Sequence, residues 1–320
     1  MKRMFGDPTS ADVHVDSALS EIAIAYKPEG FIADGLFPLV GVDKQSNYYY
    51  VWTKGFWLRN MVERRTPGDT YPEGRLQVSS TTYFCQPYHL GFAIPDEDRD
   101  NQDPAVQLEQ TGAEWLATQF ALNREIKVAA TLFAASWETT VTGGVDFDQW
   151  NEYDVSDPVG TINTGKQVIQ KSTGIMPNTL VIGQEVFDVL AEHPLLLDKF
   201  RYTQTGILDL AQIQQALKVQ RLVVGSAVYE STVEGDATPT RGYIWGKKAL
   251  LMYVPPSPGI RVPAAGYTFV WRQTDGGSLT VTIRNTREDN RDRDFLKGKH
   301  AFDAKITATD LGYYLNTCVA

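Results

Sequence analysis

PAVQLEQTGAEWLATQFALNREIKVAATLFAA is the sequence of residues 104–135, and its spacing predicts one long amphipathic helix. At 100° per residue the large apolar side chains fall in a single stripe that we expect to face the core: Leu108, Trp115, Leu122, Ile126, Ala129 and Phe133. Asp103 suits the N-cap and Pro104 the first helical position. About 30 residues at ~1.5 Å each give roughly 45–50 Å of helix, which exceeds the width of a compact domain of ~100 residues. The helix is therefore either a long core helix of an enzyme or a spine that joins two lobes.

The composition describes a globular chain of about two domains. It has 320 residues, 42% of them hydrophobic and 11% aromatic, which can fill a sizeable core. No apolar run approaches ~18 residues and the N-terminus lacks an apolar signal segment, so we expect neither a membrane span nor secretion. Cys85 and Cys318 lie far apart in sequence, and we expect free, buried thiols in a cytosolic protein. The net charge of −9 opposes tight binding to a nucleic-acid backbone but not the enclosure of one.

An arm and a ribbon of strands precede the long helix. Pro and Gly interrupt residues 1–46, so we expect an extended arm whose Phe31 and Phe37 pack on the chain's own core or on a neighbouring subunit. Residues 48–52 and 78–85 have the aromatic, β-branched and alternating character of two paired strands. The roughly 25 residues between them far exceed a usual hairpin loop of ~2–5 residues. This loop is either a solvated insertion or a projection that reaches another chain.

The chain after the long helix predicts an α/β lobe and then further strands. In residues 158–260 we expect helices at 163–172, 184–190 and 208–217, and strands at 179–182, 221–224, 227–232 and 250–254. Residues 267–271 and 279–283 flank Asp275-Gly276-Gly277, which predicts a hairpin. Residues 302–308 alternate as another strand. The segment 287–299 mixes both charges, and we expect a solvated loop there.

The sequence contains no complete catalytic or ligand-binding motif. Residues 160–166 have the spacing of a phosphate-binding loop, but Gln167 stands where a magnesium-binding hydroxyl is needed and no buried strand precedes the loop. The chain has no G-x-S-x-G, H-E-x-x-H or G-x-G-x-x-G sequence. The histidines are scattered and share no metal-ligand spacing. We therefore predict no catalytic residue, no metal site and no cofactor.

Short blocks of sequence along the chain carry a family resemblance by their order and spacing. They include Gly30-Phe-Ile-Ala-Asp-Gly-Leu-Phe-Pro38, Tyr83-Phe-Cys-Gln-Pro-Tyr-His-Leu90, Asn178-Thr-Leu-Val-Ile-Gly183, Ile244-Trp-Gly246, Tyr253-Val-Pro-Pro256 and Gly312-Tyr-Tyr-Leu315. In this arrangement the chain resembles a tailed-bacteriophage major capsid protein of the Hong Kong 97-type fold. The resemblance spans nearly the whole chain, and each block alone is weakly specific.

The resemblance implies an α+β fold with four parts. Residues 1–46 would form the N-terminal arm, 47–85 an extended β-ribbon loop, 86–157 and 261–320 a peripheral domain with spine helix 104–135, and 158–260 an α/β axial domain. Because the arm begins within about 45 residues of the ribbon, we expect no N-terminal scaffolding segment to be cut away. Lys54 lies in the loop, but no motif for the Lys–Asn cross-link of some relatives accompanies it.

The resemblance also implies a structural protein and not an enzyme. Such a chain assembles with itself as hexamers and pentamers into the icosahedral or prolate head of a tailed phage, in the host cytoplasm, and becomes part of the virion. The head encloses double-stranded DNA without sequence-specific binding, and the further partners would be a portal protein and scaffolding or decoration proteins. We expect contacts between subunits at Phe31, Phe37, Lys54, Trp57, Arg59, Arg64, Arg65, Arg75, Arg291 and Arg293.

Two other classes of protein stay open at this point. The shell protein of an encapsulin-like nanocompartment shares the fold, but it usually opens with a short cargo-docking helix where this chain has its interrupted arm. A soluble α/β enzyme would need a convergent polar pocket in the lobe at residues 158–260, for which the sequence supplies no catalytic grouping.

Overall fold

The computed structural model of the chain describes residues 30–52, 54, 58–64, 66–68, 70–71, 73–75, 78–101, 107–134, 136–200, 208–232, 238, 240–257, 259, 262–272 and 281–320. The helices are α1 (Ala33–Leu36), α2 (Asp96–Asp100), α3 (Leu108–Leu132), α4 (Pro158–Thr173), α5 (Gln184–Ala191), α6 (Pro194–Lys199) and α7 (Leu210–Ala216). The first strands are β1 (Leu39–Val42), β2 (Ser46–Trp52), β3 (Val78–Phe84), β4 (Gln86–Pro95), β5 (Thr139–Thr142), β6 (Thr179–Gly183) and β7 (Arg221–Gly225). The later strands are β8 (Val228–Glu230), β9 (Arg241–Tyr243), β10 (Ala249–Met252), β11 (Gly266–Trp271), β12 (Thr282–Glu288), β13 (Arg293–Ile306) and β14 (Gly312–Asn316).

Several positions discussed above lie outside the described residues. They are most of the predicted arm, the helix start at Asp103 and Pro104, the turn Asp275-Gly276-Gly277, and the contact candidates Trp57 and Arg65.

The predicted long helix is present as α3, which has 25 residues and a length of about 38 Å at ~1.5 Å per residue. Its N-cap, Gln107, has a φ of 38°. The prediction of one core-facing stripe was partly wrong, because Trp115 is 41% exposed while Ala129 is buried. The buried side instead shifts along the helix through Gly112, Leu116, Phe120, Glu125, Val128, Ala129 and Leu132.

The shift of the buried side arises because α3 packs on two different surfaces. In its first half Leu116 joins a small cluster with Ile94 and Leu296 of strands β4 and β13. In its second half Val128 and Leu132 belong to the main core. A straight stripe presumes one partner surface, whereas this helix links two clusters and so acts as a spine.

The main core surrounds a mixed sheet of five strands in the order β5-β14-β10-β6-β7. Strands β6 and β10 are buried at every position, as expected of continuous apolar runs covered on both faces. Helices α4, α5 and α7 pack on this sheet. The helices and strands predicted within residues 158–260 are therefore confirmed, with small differences at their ends.

The sheet also bears on two smaller predictions. Strand β14 pairs with β5 on one side and with β10 on the other, although the predicted boundaries placed β5 and β14 in the peripheral domain. Those boundaries cut through a hydrogen-bonded sheet, and the division into domains stays a prediction. Residues 160–166 lie inside helix α4, where Asp157 caps the Gly160 N–H at 2.9 Å. The segment with phosphate-loop spacing is thus a helical turn and not a loop.

A second sheet is built around the 14-residue strand β13. Strand β4 pairs with one edge of β13, while β12 and then β11 pair with the other. Strand β1 from the arm adds to β11 in parallel. Among the described residues no ladder joins β11 to β12, so the hairpin predicted between them was wrong. Both strands pair with β13 instead, β11 with residues 302–306 and β12 with residues 293–299.

The prediction of a solvated loop at residues 287–299 was also wrong. These residues form the β12–β13 hairpin, whose short 3-10 turn spans Asp289–Arg291. The strands accommodate the charges because two of the arginines bind carboxylates: Arg293 binds Glu288 within the hairpin at 2.8 Å, and Arg287 binds Asp96 of helix α2 at 2.5 Å. Mixed charge therefore did not indicate a loop here.

The predicted ribbon and the predicted thiols are confirmed. Strands β2 and β3 are antiparallel, with Asn47 opposite Tyr83 and Trp52 opposite Val78. Cys85 and Cys318 are buried and free, and burial raises the pKa of Cys85 to about 12. Among the described helices, none combines the length and the apolar character that crossing a membrane requires.

Candidate subunit-contact surfaces

The described part of the arm is fixed to its own subunit by a buried carboxylate. Glu125 of α3 is 1% exposed and accepts hydrogen bonds from the backbone N–H groups of Ile32 and Ala33, both at 2.9 Å. It also accepts one from the indole Nε1 of Trp245 at 2.7 Å. Burial raises the pKa of Glu125, and these donors oppose that rise. One carboxylate thus joins the arm, the spine helix and the segment after β9.

Phe37 was predicted as a contact between subunits, and that prediction was wrong. Its side chain is fully buried in the main core of its own chain, where its ring lies against Gly266. A side chain with no exposed surface has nothing to offer a neighbour. Phe31 is half-buried and keeps some surface, so its contact stays a prediction.

Lys54 ties the start of the extended loop to its own subunit. Its Nζ lies 3.2 Å from Glu138 Oε2 and 3.2 Å from Asp310 Oδ2, and it donates to Ser172 Oγ at 3.0 Å. These partners come from three separate segments near the main sheet. Lys54 therefore sets where the loop leaves the body, and the structure gives it intramolecular partners rather than a free ammonium group.

Beyond Lys54, the described residues of the loop are exposed. Arg59, Arg64 and Arg75 have exposed side chains, as predicted for contact candidates. The same loop also exposes Val62 (87%) and Tyr71 (73%). Exposed apolar side chains of this size, grouped on one projection, mark an interaction surface.

The ribbon presents a second apolar surface that sequence inspection did not single out. On one face Tyr49 and Tyr83 pack on Phe269, with ring centroids 5.4 and 4.7 Å away. The opposite face carries Tyr48, 64% exposed, and Tyr50, 72% exposed. Strand alternation could have revealed this exposed face from the sequence, because neighbours of an inward-facing Tyr49 must point to the opposite face. Within the described part of the chain this face is exposed.

The β12–β13 hairpin carries Arg291 and Arg293 to different surroundings. Arg291 is exposed at the turn, while Arg293 is held by Glu288. On the other side of the hairpin, Arg287 and Arg99 both bind Asp96. The hydrogen bond from Arg287, followed by that from Arg99, lowers the pKa of Asp96 to about 2. The pairs hold the hairpin against helix α2, so its exposed turn has a defined position.

Ser156 and His193 are residue types that catalyse hydrolysis in other proteins, but the hydrogen bond between them runs in the wrong direction for that role. Ser156 Oγ lies 3.0 Å from Nε2 of the buried His193. The other ring nitrogen, Nδ1, accepts the Leu195 N–H at 3.3 Å, so Nε2 carries the proton and donates it to Ser156. A histidine in that tautomer does not take a proton from the serine. Among the described residues no cluster of three or more His, Cys, Asp or Glu is able to hold a metal ion.

Two curated relatives match almost the whole chain, although no family model matches it. The major capsid protein of Burkholderia phage BcepMu is 27% identical over 312 residues, which cover 94% of this chain and 96% of the relative. The major capsid protein of Pseudomonas phage JBD67 is 26% identical, with 98% and 99% of the two chains covered. This chain is a homologue of phage major capsid proteins.

Comparison with solved structures shows that this chain has the fold of phage capsid proteins. A phage-related protein from Bordetella bronchiseptica superposes with a TM-score of 0.70 at 23% identity, covering 95% of this chain and 97% of the other. The capsid structure of cyanophage P-SCSP1u gives a TM-score of 0.64 at 11% identity, covering 95% and 93%. The predicted α+β fold of the Hong Kong 97 type is thereby confirmed.

Proposed function

We propose that this chain is the major capsid protein of a tailed bacteriophage. Copies assemble as hexamers and pentamers and close into an icosahedral or prolate head that encloses double-stranded DNA without reading its sequence. The observation that carries this proposal is the β2–β3 ribbon with its loop, a projection whose apolar face is exposed in the described subunit.

A shell needs this kind of projection because each copy must bury area against several neighbours. A stable protein interface buries about 1,200–2,000 Å² in total, and heterologous contacts repeated around an axis close into rings. Tyr48 and Tyr50 on the ribbon and Tyr71 in the loop, each more than 60% exposed, are the residue type that anchors interfaces. The ribbon supplies that area without enlarging the subunit's own core.

The phage assignment is preferred to a nanocompartment shell and to an enzyme. Both sequence relatives are phage major capsid proteins, which favours a virion over a cargo compartment. For the enzyme, an open groove beside β8 and β9 is lined by Glu185, Arg241 and Tyr243, and it brings together no nucleophile with a base. A portal protein and scaffolding or decoration proteins remain the proposed partners, and the host cytoplasm the proposed place of assembly.

The assay for this proposal is light scattering and electron microscopy of the purified chain over a series of salt concentrations and protein concentrations. We expect capsomers or closed shells. A species that stays at the monomer mass of 35.7 kDa under every condition would overturn the proposal.

A loop replacement tests the part played by the projection. Residues 58–75 are replaced by a short Gly-Ser turn, which leaves β2, β3 and the Lys54 anchor in place. We expect a native melting profile by circular dichroism, because the described side chains of this segment are exposed in the subunit, and no shells by sedimentation, because we propose that the segment makes its main contacts with other chains. Normal shells from the shortened chain would show that the loop is a surface insertion without a role in assembly.

A further inference from the structure

The face of the β13 sheet that points away from α3 is strongly basic. On the α3 side, Phe120 lies against Gly298 and Gly112 lies near Leu296, so the alternate positions of β13 face outward. Lys297 and Lys299 are among them, and Arg284 of β12 stands directly opposite Lys297. Arg284 and Lys299 are exposed. In a chain with a net charge of −9, this concentration of cations calls for a physical reason.

The cations on this face are poorly compensated within the subunit. Side chains directly opposite each other in an antiparallel pair are ~4.5–5.5 Å apart at Cβ, and like charges there are destabilising. The described strands place two carboxylates on this face. Glu288 is engaged by Arg293 at 2.8 Å and lies 3.7 Å from Lys297. Asp303, four residues beyond Lys299, accepts the Phe84 N–H at 2.9 Å and lies 4.0 Å from Lys305 Nζ. Arg284 and Lys299 form no ion pair with a described residue. An anionic partner over the face would remove the repulsion.

The same chain carries a segment of opposite charge elsewhere. Residues 128–165 contain no Lys or Arg but six acidic residues: Glu138, Asp146, Asp148, Glu152, Asp154 and Asp157. Asp148, Glu152 and Asp154 are exposed and form no ion pair with a described residue. The segment also exposes Val145 (82%) and Val155 (64%). Charged groups beside exposed apolar side chains are typical of a contact surface.

We propose that the basic face of the β12–β13 sheet binds the acidic segment 145–155 of a second copy of this chain. This inference rests on the proposed function, because it names a contact within the shell. The basic face is on the side of the sheet opposite the first half of α3, whereas the acidic segment follows the C-terminal end of that helix, and no hydrogen bond or ion pair joins them in the described chain. Complementary surfaces at separate places on one subunit produce heterologous, head-to-tail contacts, which close into rings.

A second copy fits this face better than packaged DNA does. The exposed Val145 and Val155 need an apolar surface, and Phe295 lies on the basic face between Arg293 and Lys297, at 5.1 and 5.2 Å. Phosphate recognition uses the cations alone, whereas a protein segment with acidic and apolar side chains also engages the ring. The chemistry of the partner is therefore an acidic polypeptide with apolar residues beside its carboxylates.

A charge-reversal cycle tests the contact. One variant carries Arg284→Glu and Lys299→Glu, a second carries Asp148→Lys and Asp154→Lys, and a third combines all four. A control with the same change in net charge as the first variant carries Lys44→Glu and Lys127→Glu, at exposed positions away from both surfaces. Melting by circular dichroism shows that each subunit folds. Assembly is followed by sedimentation at low and high salt, and binding of a fluorescent DNA duplex is measured in parallel.

We expect each reversed surface to lower the assembled fraction at least about tenfold at low salt, since like charges now meet, and the combined variant to recover to within about threefold of wild type. Added salt should weaken the wild-type contact. Normal assembly of the first two variants overturns the proposal while leaving the capsid function intact. Loss of DNA binding without recovery in the combined variant also overturns it, in favour of a DNA-facing surface. A wild-type chain that never assembles overturns the proposed function and this contact together.

Discussion

Replacing the buried Glu125 by Gln should release the arm from the spine helix. Oε1 accepts the Ile32 N–H and the Trp245 indole N–H, while Oε2 accepts the Ala33 N–H. A glutamine oxygen at the Oε1 position keeps two of these donors but directs its amide N–H₂ towards the third. The substitution is nearly isosteric, so it changes the hydrogen bonding and the charge without creating a cavity.

The size of the effect follows from those three bonds. Hydrogen bonds to a charged group contribute about 1.5–3 kcal/mol each and neutral ones about 0.5–1.5 kcal/mol, and an unpaired buried donor costs about 1–3 kcal/mol. Weakening two bonds and orphaning the Ala33 N–H, offset in part by the charge no longer buried, amounts to about 2–4 kcal/mol. Total stabilities are about 5–15 kcal/mol, so the variant should fold but melt several degrees lower.

Two measurements check this prediction on the isolated subunit. Thermal melting gives the loss of stability, and hydrogen exchange reports the amides of Ile32 and Ala33, which should exchange at least about tenfold faster in the variant. Glu114→Gln on the exposed side of the same helix is the matched control and should change stability by less than about 0.5 kcal/mol. Equal melting temperatures and equal exchange for Glu125→Gln and wild type would show that the carboxylate does not hold the arm.

Three further predictions concern other parts of the subunit. Trp115→Ala should cost only about 1–2 kcal/mol because the ring is 41% exposed, whereas Phe120→Ala at 4% exposure should cost about 3–5 kcal/mol; equal melting shifts for the two would contradict the packing of α3. Lys54→Ala removes three intramolecular partners, so the melting temperature of the subunit should change little while proteolysis of the loop accelerates, and an unchanged cleavage rate would argue against the anchor. The stabilising contribution of the ionised Asp96 should be complete above its ordinary pKa of 3.8 and should be lost as the pH falls towards about 2. Over that interval the melting temperature of the wild type should therefore fall more steeply with pH than that of Asp96→Asn. Parallel curves for the two proteins would refute the pairing with Arg287.

The elements that the sequence predicted well are those whose pattern depends on local surroundings. Strand β6 is apolar at consecutive positions because both its faces are covered, and the β2–β3 ribbon alternates because one face packs on Phe269. Helix α3 was recognisable from its period, and the order of the short blocks was enough to place the chain near phage capsid proteins. In each case residues close in sequence carry the signal.

Features that depend on residues far apart in sequence needed the tertiary structure. The side of α3 that is buried changes along its length because the two halves meet different sheets, which a single periodicity does not encode. The charged residues 287–299 form strands because Asp96 of helix α2 and Asp294 of β13 neutralise Arg287, and Glu288 of β12 neutralises Arg293. Arg284, Lys297 and Lys299 share a face only because of that pairing. Glu125 is a charged residue in an amphipathic helix, but its hydrogen-bond partners lie 93 and 120 residues away, and only folding brings those donors to the carboxylate.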